Sequence, residues 1–120
     1  MRSRSYAAIE VAQQHLKAAQ RCLERVEMGL SAAEAYYAMY HVVAAAAEEQ
    51  GDKVPSTHEG MEWYFFHELV RAGPLTLADH KTHFDDAREA RLRWHYKGKE
   101  PGNDVSVYVG VAEELVERYR

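Results

Sequence analysis

The chain has a single cysteine, Cys22, among its 120 residues, so no internal disulfide can hold it together. Cys22 falls in a helical pattern between Leu23 and charged neighbours, which predicts a packed thiol rather than a reactive one. No run is long and apolar enough to cross a bilayer. Met1-Arg-Ser-Arg4 is not followed by the apolar core of a signal peptide. These absences predict a cytoplasmic protein without membrane contact. There is no Gly-x-Ser-x-Gly, no Cys/His pairing and no glycine loop to cradle phosphate, which removes the familiar hydrolases and NTPases. A net charge of −4 excludes a general nucleic-acid coat.

Metal patterns are thin despite seven histidines. His80 and His83 stand three apart near Asp79 and Asp86. A ferritin-like site needs Glu-x-x-His pairs on two helices, and neither Glu62 nor Glu68 has a His three residues on. His58-Glu59 and His67-Glu68 lack the second His of a zincin helix. The expectation is no specific metal site, no cofactor, and His80 and His83 at the surface.

What the chain does have is apolar residues at a period of 3.6. One domain spans residues 1–120, long enough for one core and too short for two. The first helix is expected from Ser5 to Met28, with Ile9, Ala12, Leu16, Ala19, Leu23 and Val26 as its stripe and Gly29 as its stop. Ser31-Ala-Ala-Glu34 reads as a capping box opening the second helix. That helix is apolar on nearly every side, so it belongs at the centre, and Gly51 ends it. Thr57 caps a third helix that carries Met61, Tyr64, Phe65, Leu69 and Val70 and stops at Gly73-Pro74. A weaker box, Thr76 to Asp79, opens a fourth helix running to about Tyr96 with Phe84, Ala87, Ala90 or Arg91, and Trp94 along it. Asn103 or Asp104 caps the last helix. Val105, Val107 and Val109 also alternate as a strand would, but the helical spacing continues through Leu115 and Val116. The fold class is all-α, an antiparallel up-and-down bundle of four to five helices.

The fourth helix holds the strongest chemical signal. Arg88, Arg91 and His95 lie on one stripe, about a turn apart. Guanidiniums bind phosphate through several donors, and an imidazole moves protons near neutral pH. Five Lys or Arg residues fall between Arg88 and Lys99, a basic patch on an acidic protein that suits one specific anion. Arg93, Tyr96 and Lys97 extend it as candidate ligand-binding residues. On the second helix Tyr36 pairs with Tyr40, and Tyr37 with His41. Filling the core or a dimer contact is the expected role of the tyrosines. His41 is able to donate to a carboxylate on a facing helix, and His58 to fix the loop before the third helix. Both are also candidate ligand contacts.

Four segments in order carry a resemblance: Ala35-Tyr-Tyr-Ala-Met-Tyr-His41, Thr57-His-Glu-Gly60, Leu69-Val-Arg-Ala-Gly73 and Arg91-Leu-Arg-Trp-His-Tyr96. Together they resemble HEPN domains, in particular the small stand-alone prokaryotic branch, from Ser31 to the C-terminus. The resemblance implies a bundle that dimerises through its long helices. It also implies, in many members, an RNase toxin marked by Arg, four to six residues, then His, facing its copy across the dimer. A small nucleotidyltransferase antitoxin is a common partner, and other members bind nucleotides or act only as interaction modules. Arg88 with His95 fits the spacing, with six residues between; Arg91 with His95 has three. His95 stands where the branch usually has Asp, no Asn follows Arg88 or Arg91, and Lys97 holds the place of a tyrosine that accepts nucleotides.

Three readings follow. The favoured one is a dimeric module that binds RNA, a nucleotide or a nucleotidyltransferase through the basic stripe. In the second, a metal-independent RNase, His95 from each protomer shares the acid and base roles while Arg88 and Arg91 stabilise the phosphorane. The third is a purely structural helical dimer whose charges form salt bridges. An all-apolar second helix also favours dimerisation.

Overall fold

A computed structural model of the chain describes residues 3–71, 82–102 and 104–119, and every regular element among them is helical. Helix α1 spans Ser3–Glu24 and α2 spans Met28–Glu49. Helix α3, His58–Tyr64, continues as a π-helical stretch, Phe65–Arg71. Helices α4, His83–Lys97, and α5, Val105–Tyr119, complete the bundle. The Val105-Val107-Val109 alternation resolves as helix, with Val105 and Val109 buried and Val107 exposed. The stop at Gly73-Pro74, the Thr76–Asp79 box, the cap at Asn103 and the surface placement of His80 lie outside the described residues.

Helix α2 is the central element, as its all-round apolarity predicts. It packs against α1, α3, α4 and α5, and alanines at 32, 35, 38, 45, 46 and 47 are fully buried along it. Small side chains let neighbouring helices approach closely. Burial inside its own bundle accounts for the apolarity of α2 without a second chain. Phe65, Phe84, Ile9, Met39, Met61, Leu69 and Leu115 fill the space between helices.

The α1–α2 junction differs from the expected one. Helix α1 stops at Glu24, and Val26 takes the left-handed φ of 58° that closes it. Glu27 N–H donates to Cys22 O at 2.8 Å and Val26 N–H to Leu23 O at 3.1 Å, the paired bonds of a Schellman motif. Val26 therefore leaves the apolar stripe and is exposed. Helix α2 starts at Met28, so Gly29 lies inside it and Ser31 is no cap. Ser31 Oγ donates to Ala19 O on α1 at 2.8 Å, buried, and Glu34 pairs with His15. Both residues of the apparent box serve the antiparallel α1–α2 contact instead.

Two other ends match the sequence. Gly51, φ 79°, closes α2 with a second Schellman pair: Asp52 N–H to Ala47 O and Gly51 N–H to Glu48 O. Thr57 Oγ1 accepts the Gly60 N–H at 3.0 Å and caps α3. The expected α-helix gives way at Phe65 to i→i+5 winding, which brings Phe65 and Val70 to one buried side.

Candidate functional site

Helix α4 runs antiparallel to α2: Phe84 meets Tyr36 near its start, and Trp94 meets Gly29 near its end. Glu100 Oε2, just beyond α4, accepts the Gly29 N–H at 3.2 Å. This packing turns Arg88 and Arg91 toward α2. The Arg91 guanidinium sits 5.1 Å from the centroid of the Tyr37 ring, a cation–π contact. Arg88 is half-buried, and its guanidinium lies 3.6 Å from the exposed carboxylate of Glu89. His95 is exposed at the outer end of the stripe, with the Tyr96 ring edge-on at 4.9 Å. Arg93 is exposed and lies two residues from Arg91, about 200° round the helix. It therefore does not share a face with the stripe. Tyr96 and Lys97 are exposed at the end of α4.

Behind Tyr37 lies a group that crosses α1 and α2. His15 Nδ1 is 2.5 Å from Glu34 Oε2, and its ring stacks on His41 at 5.4 Å with 4° between planes. The same ring lies 5.4 Å from Tyr37. Among the described residues His41 thus meets another imidazole rather than a facing carboxylate. Burial, and then the charge of His15, lower its pKa from the ordinary 6.5. His15 and Glu34 were not legible as site residues, because nothing in α1 signals which residue of α2 it faces.

Tyr36, the next residue round α2, belongs to a third group at the start of α3. Its hydroxyl is 2.9 Å from His58 Nδ1. His58 Nε2 is 3.0 Å from Asp85 Oδ1 and 3.4 Å from Glu62 Oε2. The His58 ring stacks on Phe84 at 5.5 Å, and its side chain is only 10% exposed. Burial pushes the Tyr36 phenol up to about 12, opposed by Arg88 and, more weakly, Arg91. The Glu62 carboxyl is raised by burial and by the Asp85 charge, with His58 acting the other way. Outside this group opens a cleft of about 530 Å³ lined by Trp63, Phe66, His67, Glu62, Asp85 and Asp86. The sequence did carry part of this signal. His58 and Glu62 are i, i+4 on one face, a spacing other than the two metal patterns sought. Asp85 comes from another helix and had no local mark.

The surface therefore has two chemistries. One face of α4 carries two guanidiniums and an imidazole. The start of α3 and of α4 carries an imidazole and two carboxylates. No helix of the described residues is long and apolar enough to cross a membrane. In comparison with known proteins, the HEPN domain family model matches residues 6–120, essentially the whole chain. No curated protein matches it.

Proposed function

The chain belongs to the HEPN domain family, which supports a nucleotide- or RNA-related module in general, and on that premise we propose that it binds the phosphates of RNA or of a nucleotide on the α2-facing stripe of α4. Arg88 and Arg91 take the phosphate, and His95 stands at the outer end of the same stripe. The observation that carries this reading is the seating of Arg91 on Tyr37, 5.1 Å from the ring centroid. A planar ion held by its face keeps its edge of N–H donors free for a phosphate. A guanidinium already in place loses less side-chain entropy on binding. The module acts as a homodimer in the cytoplasm, so that two stripes, each with one His95, are presented together. A nucleotidyltransferase antitoxin is the protein partner that fits a toxin–antitoxin role.

The test is fluorescence anisotropy of a short labelled RNA and of labelled ATP in EDTA, with wild type beside an Arg88→Ala, Arg91→Ala double variant. Binding by wild type and a loss of about tenfold or more in the folded variant support the reading, since each charge-assisted contact is worth about 1.5–3 kcal/mol. Failure of wild type to bind either ligand, with the dimer confirmed by light scattering, overturns it and leaves a protein partner for the stripe. Gel analysis of the same RNA reads cleavage. Cleavage lost in His95→Ala would raise the module to a metal-independent RNase.

A further inference from the structure

The group around His58 plays no part in the proposed anion site, and its charge is of the opposite kind. One ligand atom from each of His58, Glu62 and Asp85 lies within 4.8 Å of the other two. The two separations from His58 Nε2, 3.0 Å to Asp85 and 3.4 Å to Glu62, are those of donors around one ion. At metal–ligand lengths of about 2.1 Å, octahedral or tetrahedral angles place neighbouring donors about 3.0 to 3.4 Å apart. We propose that His58, Glu62 and Asp85 bind one divalent transition-metal ion, of the zinc or manganese class, between the start of α3 and the start of α4.

Three features separate this group from a surface cluster of acids. First, it has a nitrogen donor on a ring nine-tenths buried and wedged against Phe84, so its direction is fixed. Imidazole with carboxylates suits zinc, manganese or iron, whereas magnesium and calcium prefer oxygen alone. Second, the other ring nitrogen is already held: Tyr36 Oη lies 2.9 Å from Nδ1. With the ring proton on Nδ1, Tyr36 accepts it and Nε2 turns a lone pair to the ion, the outer contact that metal-bound histidines usually have. Third, Glu62 and Asp85 are 44% and 39% exposed toward the cleft, so an ion can reach them and keep water in its remaining positions. Two carboxylates held side by side repel each other, and a dication removes that repulsion. The ion would also tie α3 to α4.

The experiment is isothermal titration of EDTA-treated, desalted protein with Zn²⁺, Mn²⁺ and Mg²⁺ separately, with Co²⁺ absorption as a report on the donors. One Zn²⁺ or Mn²⁺ per chain, bound at least tenfold more tightly than Mg²⁺, is the expected result. Glu62→Gln and Asp85→Asn keep the shape and should each weaken binding tenfold or more. Tyr36→Phe should weaken it about tenfold through the outer contact alone. Circular dichroism establishes that each variant is folded. If the folded wild type binds none of these ions, or if binding is unchanged in both carboxamide variants, the proposal is overturned. In the second case the ion sits elsewhere. RNA binding in EDTA is read separately, so either proposal can fail alone.

Discussion

The indole of Trp94 lies directly on the backbone of Gly29: a Cβ at that position would fall 2.2 Å from two ring carbons, Cδ1 and Cγ. The glycine is there for space, since it sits inside α2 rather than at a turn. Gly29→Ala should therefore destabilise the protein. Alanine brings about 1 kcal/mol of helix propensity. Against this, overpacking costs about 1–3 kcal/mol, and here the obstacle is a rigid ring, so the upper part of that range applies. Urea denaturation gives the net loss, and near-UV circular dichroism reports the displaced indole. A midpoint equal to or above wild type would refute the contact.

Val26 shows the opposite case, a branched residue where the backbone favours glycine. Its φ is 58° and it is 70% exposed, so it contributes little to the core. Left-handed backbone costs an L-residue about 1–2 kcal/mol. Glycine loses some of that advantage through its freer unfolded chain, about 0.5–1 kcal/mol. Val26→Gly should raise stability by about 0.5–1 kcal/mol, seen as a higher urea midpoint at unchanged slope. A lower midpoint would mean that α1 does not end there.

Removing the Tyr36 hydroxyl should cost about 1–2 kcal/mol, because Phe keeps the ring against Phe84 but leaves His58 Nδ1 without its partner. Because the phenol is pushed up to about 12, it remains neutral across the pH range of ordinary assays, and the loss should be the same at pH 7 and pH 9. Chemical denaturation of Tyr36→Phe at both values checks this.

His41 gives the protein a pH dependence of known sign. Its folded pKa is below the ordinary 6.5, so the unfolded chain binds the proton more readily. The contribution is complete above about pH 6.5, where His41 is neutral in both states, and is lost as pH falls toward the folded value. Stability of wild type should decline over that window, and His41→Gln should flatten the decline. The measurement is the urea midpoint from pH 5 to pH 8 for both proteins. A parallel decline in the variant would place the titrating group elsewhere.

Features that depend on neighbours in sequence were legible, and those that depend on neighbours in space were not. The Thr57 cap closes on Gly60, three residues away, and reads correctly from composition. The Ser31–Glu34 box has the same local form, yet Ser31 spends its hydroxyl on Ala19 and Glu34 its carboxylate on His15. Both partners come from α1, and tertiary bonds outcompete a cap that an earlier helix start has made unnecessary. Gly29 read as a stop because glycine tolerates turns; what selects it is an aromatic ring from the far end of the chain. The core residues of α3, α4 and α5 were readable because burial imposes a period. The common face of Arg88, Arg91 and His95 follows from their i, i+3, i+7 spacing alone, whereas the seating of Arg91 on Tyr37 emerges only from packing. Asp85 and His58 lie 27 residues apart and meet across two helices, with no pattern to announce them.

Asp85 and Asp86 open α4, and His95 and Lys97 close it. Each charge complements the helix dipole at its own end, which favours the helix itself. The same order gives α4 an electrical polarity along its length. A strand of phosphates drawn to the basic end meets rising repulsion as it extends toward the acidic end. If α4 binds RNA as proposed, its footprint is limited by charge rather than by shape, and lengthening an RNA beyond the first few phosphates should add little affinity. Salt flattens both the attraction and the repulsion, so this limit on length should weaken as ionic strength rises.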